Sequence, residues 1–303
     1  MRKVFLILLL FSNALWAEQS PYDLKYEPNR PRSFWLPPLF SAILPGFDQY
    51  VEGQSSYGFA YTGTAAVGLG LQYAFKDYSD YSLDTQNDNA RMYQLGGEFW
   101  KVGLGLSSFH SFRSAVKSRP NDFSYLKVEE TPSDLALSPI HFSYLSRPTT
   151  YLGIAGILVT DVLIASLFNY GNEDNQNVSW HVKGTDFLFA GALSAGAGIS
   201  EEAVFRGWLM PATNYYVNSP WASNLITAVL FGAAHLGGDN TFPLPQALAG
   251  YYFGWVAQRN DWAIGESIFI HTWVDVIAFL VGYATSDNND KNHTFYLPVS
   301  FSF

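Results

Sequence analysis

Apolar residues along this chain fall into helix-length runs separated by polar stretches. A helix needs about 20 mostly apolar residues to cross a bilayer, and eight segments approach that pattern. Phe34 to Leu44 is short and holds Pro37 and Pro38, which predicts a half-helix. Tyr57 to Phe75 is rich in Gly and Ala and suits close helix packing. Leu95 to Phe112 contains Glu98 and Lys101, an i,i+3 pair able to neutralise itself. Tyr151 to Phe168 carries Asp161. Phe187 to Met210 carries Glu201 and Glu202 and is predicted to stop at Pro211. Trp221 to Leu236 ends with His235, Leu244 to Ala257 is short, and Ile264 to Tyr283 carries His271 and Asp275. The predicted fold class is all-α, a polytopic transmembrane bundle of about seven to eight helices around an intramembrane polar cavity.

The connections add organisation. Asp77 to Arg91 and Asn169 to Lys183 are acidic or neutral, whereas Arg113 to Arg147 holds five basic residues, Arg113, Lys117, Arg119, Lys127 and Arg147. The positive-inside bias places that basic loop in the cytoplasm and the other two outside. Residues 1–17 read as a secretory signal: Arg2 and Lys3, an apolar core from Val4 to Phe11, and a small residue at Ala17. The alternative is an uncleaved first helix. The remaining divisions are 18–148, membrane helices and loops; 149–285, a core holding the ionisable residues; and 286–303, a tail. In the tail, Phe295, Leu297, Val299, Phe301 and Phe303 alternate like the last strand of an outer-membrane barrel, but Pro298 interrupts them and one strand makes no barrel. Leu44 to Gly58 looks like the Pro-Gly hairpin of small bacterial membrane proteins. An ordinary turn between helices reads equally well there, and no chemistry is assigned to it.

Composition agrees with a membrane setting. Hydrophobic residues make up 48 % and charged residues 14 %, against about 25 % charged in soluble domains. The net charge of −9 disfavours a nucleic-acid partner. With no cysteine there is no disulfide frame, zinc–thiolate site or cysteine nucleophile. Lipid and a membrane protein or peptide are the expected partners, and the inner membrane of a bacterium is the expected location.

The ionisable residues on the apolar runs carry the chemistry. A carboxylate at membrane depth costs roughly 2.5–3.5 kcal/mol on insertion scales, so it needs a partner or a function. In EEAVFR, Glu202 and Arg206 lie four apart on one helical face and can pair. Glu201 points about 100° away, outside that pair, and can act as a general base on water. FGAAH places Phe231 and His235 four apart, and HTWVD does the same for His271 and Asp275, where Asp275 can orient the imidazole. Each motif has a plain structural alternative, such as an ion pair at a helix end or a satisfied buried histidine. Together they place ionisable groups on three apolar helices, as around a cavity.

The ordered set E-E-x-x-x-R, F-x-x-x-H and H-x-x-x-[ND] resembles the CAAX protease and bacteriocin-processing (CPBP, or Abi) family of intramembrane proteases. The resemblance covers about Tyr151 to Tyr283. It implies an endopeptidase in which Glu201 and His235 activate water, His271 and Asp275 bind the oxyanion, and Glu202 and Arg206 hold the site's shape. Asp275 stands where prenyl-processing members carry Asn. A charged Asp cannot donate a hydrogen bond, so it either orients His271 or is protonated. The expected mechanism uses no cofactor. A zinc ion on Glu201, His235 and His271 is the alternative that the donor set leaves open. The competing functions are a non-catalytic scaffold or immunity protein that retains the fold, and a transporter relaying protons through Glu201, Glu202 and Asp161. No inverted repeat supports the transporter.

Overall fold

The computed structural model describes residues 32–81, 83, 85–167, 182–237 and 243–285. The expected signal segment and C-terminal tail lie outside these. The described residues are helical, with no β-strand among them: α1 (Leu36–Ile43), α2 (Phe47–Val51), α3 (Ser55–Ala74), α4 (Asp88–Lys117), α5 (Pro132–Leu137), α6 (Pro148–Leu167), α7 (Gly184–Val204), α8 (Met210–Val217), α9 (Pro220–Ala233), α10 (Leu244–Arg259) and α11 (Gly265–Thr285).

Pro37 and Pro38 occupy the first turn of α1, where their missing amide hydrogens cost nothing. The Leu44 to Gly58 segment folds as α2 between two tight turns, with Gly46 at φ 86° and Gly53 at φ 72°. The Gly46 amide donates to Ser107 Oγ, and Gln49 exchanges hydrogen bonds with the same serine. This turn is therefore tied to the flank of α4. The expected helix at Leu95 to Phe112 is longer at both ends. The Asn87 side chain caps its start by accepting from the amides of Asn89 and Ala90. At 30 residues α4 is the longest described helix, about 45 Å at 1.5 Å per residue.

Helices α1, α3 and α7 pack on α4, and α11 packs on the other side of α7. Small residues permit the close approach. A Cβ on Gly68 would lie 2.5 Å from the Gly96 carbonyl oxygen, and one on Gly105 would lie 2.7 Å from that of Ser200. Helices α4 and α7 run parallel. Arg91 Nη1 donates to Asp186 Oδ1 at 2.8 Å near their N-terminal ends, and the Ser200 contact lies further along both. Helix α11 runs the other way. The amides of Ile264 and Gly265 at its start donate to Glu130 in the loop beyond α4, at 2.8 and 2.9 Å. Burial pushes the Glu130 carboxyl up, while these amides and Arg113 pull it down. Glu266 accepts from Arg147, Thr149, Thr150 and Asn260 and joins the starts of α6 and α11.

One expectation needs correction, and one is met only in part. The helix does not stop at Pro211. A π-turn over Phe205–Leu209 follows α7, and Pro211 then falls in the first turn of α8, where no amide hydrogen is required. Of the expected transmembrane helices, one among the described residues is both long and apolar enough to cross a membrane: Gly265–Ala284, with mean hydropathy 1.6. Pro148–Ile164 is a shorter apolar stretch. The count of seven to eight spans goes beyond this finding.

The α4–α7 contact is testable by adding single methyl groups. Gly105→Ala is expected to lower stability by about 1–3 kcal/mol, because the clash is with backbone. Gly63→Ala, with open space at its Cβ position, should leave stability unchanged or raise it by about 0.5–1 kcal/mol. Thermal unfolding of the purified variants reads both, and an equal loss in the two would refute the close-contact account.

Candidate active site

The six motif residues come together, and all are buried. Glu201 and Glu202 lie in the last turn of α7, and Arg206 is the second residue of the π-turn that follows. π-turns inside helices are frequent at functional sites. The expected pair forms: Arg206 Nη1 donates to Glu202 Oε1 at 2.8 Å. Its Nη2 donates to the Gly250 carbonyl oxygen at 2.7 Å. The guanidinium lies 4.3 Å from the centre of the Phe231 ring, a cation–π contact that further offsets its burial.

The two histidines are held from behind. His235 lies in the turn just past α9 rather than on the helix itself. Its Nδ1 is 2.6 Å from the Phe231 carbonyl oxygen, which can only accept, so Nδ1 carries the hydrogen. This explains the spacing of FGAAH: the histidine closes the last helical turn by binding a carbonyl left open there. His271 Nδ1 donates to Glu202 Oε1 at 3.0 Å. The Phe253 ring stacks on the His271 imidazole, with centroids 4.9 Å apart and planes at 14°. Both imidazoles therefore present Nε2 to the site.

One option for Asp275, orienting His271, falls to Glu202. Glu202, not Asp275, binds the Nδ1 of His271 and orients the ring. Asp275 Oδ2 lies 3.5 Å from His271 Nε2, which is too long for a strong hydrogen bond. No hydrogen-bond partner reaches that oxygen. The reason is geometric: the ring nitrogens face opposite ways, and α7 reaches the inner one first.

Glu201 faces the two Nε2 atoms. Its Oε2 is 3.7 Å from His235 Nε2 and 3.8 Å from His271 Nε2. Its Oε1 is 3.6 Å from Lys101 Nζ on α4, and Lys101 in turn lies 2.8 Å from Glu98 Oε1. Neither Glu201 oxygen has a hydrogen-bond partner. The i,i+3 pair expected on α4 thus exists, and its lysine also reaches Glu201. Sequence reading missed this second contact. The signal available was a charged pair in an apolar run, but its alignment with α7 is a tertiary fact.

A cavity of about 30 Å³ adjoins the imidazoles, with Asp161, His235, Gln246, His271 and Asp275 among its walls. That is room for a water or two. Glu201 stands beside the imidazoles rather than in the cavity wall. Asp161, read in the sequence as a charge on α6 and as a relay residue in the transporter alternative, lines the cavity.

The zinc alternative calls for Glu201, His235 and His271 to converge on one point. No group of three or more His, Asp or Glu residues suited to holding a metal is found among the described residues. The mechanism proposed below is built on the side chains alone.

A family model described as type II CAAX prenyl endopeptidase Rce1-like matches residues 183–277. The match contains all six motif residues and bears out the CPBP resemblance. It excludes α3, α4 and α6, and with them Lys101 and Asp161. Comparisons with curated proteins and with solved structures give no match.

The two adjacent glutamates should behave differently on mutation. Glu202→Ala leaves Arg206 buried without its carboxylate and is expected to cost about 3–5 kcal/mol of stability. Glu201→Gln, which breaks no hydrogen bond, should change stability by less than about 1 kcal/mol. Thermal unfolding of both variants checks this, and equal losses would remove the division of roles.

Proposed function

From the Rce1-like match over residues 183–277 and the cluster it contains, we infer that this chain is an intramembrane endopeptidase that hydrolyses a peptide bond of a membrane or envelope protein. The observation that carries the reading is Glu201 itself. It is a buried carboxylate whose two oxygens have no hydrogen-bond partner, yet it is set between Lys101 and the Nε2 atoms of two anchored histidines. A carboxylate kept out of every structural hydrogen bond is available to take a proton from water.

In this mechanism Glu201 accepts a proton as the water oxygen attacks the scissile carbonyl carbon. The imidazoles of His235 and His271 hold the water through their Nε2 atoms. The carbonyl π electrons move to oxygen and return as the C–N bond breaks, and the leaving amine takes the proton held by Glu201. Glu202 and Arg206 act by positioning, since they fix His271 and the end of α7. Lys101 holds the Glu201 carboxylate by charge from outside the motif set. No metal takes part.

A membrane setting is supported by apolar side chains facing outward on separate helices, among them Leu152, Val159 and Leu163 on α6 and Leu225, Val229 and Leu230 on α9. Helices α3, α6, α7 and α11 have 20 or 21 residues each, close to the length that spans a bilayer. We place the protein in the inner membrane of a bacterium as a multi-pass bundle, with the loop at 113–147 in the cytoplasm. A reporter fused after Lys127 is then expected to give a cytoplasmic signal; a periplasmic signal would reverse the orientation.

The central test compares peptide N-termini in membrane fractions from cells expressing wild type or Glu201→Gln. N-termini produced only by wild type are expected, with the variant slowed by about 10²–10⁴-fold. Indistinguishable profiles at equal protein abundance would support a non-catalytic scaffold instead. Activity should also survive chelation of divalent metal, and a loss restored by zinc would overturn the metal-free mechanism.

A further inference from the structure

Gln246, in the first turn of α10, is 5 % exposed. It lines the same cavity as His235, His271 and Asp275. Neither its Oε1 nor its Nε2 has a hydrogen-bond partner. An unmet buried amide is costly to the folded state. That cost has no structural return in the folded chain, because the side chain ties no elements together.

The surrounding groups suggest what the amide binds. Peptide hydrolysis places negative charge on the former carbonyl oxygen, and that oxygen needs donors. Asp275 and Asp161 offer carboxyl groups, which accept when ionised. The two imidazoles spend Nδ1 on Phe231 and Glu202, and Nε2 carries a hydrogen only when the ring is protonated. An amide NH₂ donates whatever the charge of its neighbours. We propose that Gln246 is a catalytic residue of the endopeptidase, its Nε2–H donating to the oxyanion formed when water adds to the scissile carbonyl. This rests on the endopeptidase reading. The amide takes no proton in the step: water's proton goes to Glu201, and Gln246 stabilises the electron pair moved onto oxygen until the carbonyl re-forms and the amine departs.

The test uses the full-length protein and a peptide spanning a cleavage site found by comparing N-termini. Gln246→Met keeps the length and removes the donor. Gln246→Glu keeps the shape and removes the NH₂. For both, kcat is expected to fall about 10²–10³-fold, with KM within about threefold of wild type and a thermal midpoint no lower than wild type. A kcat within about threefold of wild type in either variant would overturn the proposal. So would a loss that follows a lowered midpoint, or failure of both variants to fold, since either makes the amide structural. Glu201→Gln separates the two levels of inference. If it is inactive while Gln246→Met is active, only the role of Gln246 fails. If Glu201→Gln cleaves at the wild-type rate, or wild type cleaves nothing, the endopeptidase reading fails and this inference with it.

Discussion

The Oε1 atom of Glu202 accepts from Arg206 Nη1 and from His271 Nδ1, and the rest of the site is arranged around that shared acceptor. A carboxylate, a guanidinium and an imidazole are all removed from water here. Such burial is tolerated only when the charges meet and the leftover hydrogens find acceptors. Arg206 spends its second nitrogen on the Gly250 carbonyl and lays its face over Phe231. One ion pair thereby joins the end of α7 to α10, to α9 through Phe231, and to α11 through His271. Removing any member would leave the others buried and unmatched.

With Glu202 committed to structure, its neighbour has different work. Adjacent positions on a helix diverge by about 100°, so Glu201 cannot join the same network. It meets the Nε2 sides of the imidazoles whose Nδ1 sides are anchored elsewhere. The paired glutamates thus divide holding the histidines from facing them. The aromatic residues complete the arrangement. Phe231 contributes its carbonyl to His235 and its ring to Arg206, and Phe253 fixes the plane of His271. The scaffold behind the motifs also contributes. Helix α4 lies outside the matched segment, yet it brings Lys101 to within 3.6 Å of Glu201. It can do so because Gly105 lets it touch the backbone of α7 at Ser200.

Much of this was legible along the chain. The apolar runs marked most helices to within about three residues, since burial in any apolar surrounding demands apolar faces, but α4 extends well beyond its apolar run at both ends. The Glu202–Arg206 pair followed from helical periodicity, and the motif order pointed to the family whose model matches residues 183–277. Local rules failed where the backbone departs from the ideal helix. A π-turn carried the chain past Pro211, and the tight turn after α9 took His235 off the helix while keeping its bond to Phe231.

The sequence alone determined which groups would be buried at a cost: charges within apolar runs must meet somewhere, because lipid or a dry core leaves them no water. Tertiary structure decided which of them meet. Asp275 shares a helical face with His271, which made it one candidate for orienting the ring, but α7 delivers Glu202 to Nδ1 instead. Lys101 and Asp161 reach the site from helices that no motif links to it, and Gln246 is an ordinary amide until the packing of α10 turns it into the cavity. Spacing along one helix fixes neighbours within that helix. Contacts between helices depend on their register and closeness, which small residues such as Gly105 and Gly198 permit but do not announce.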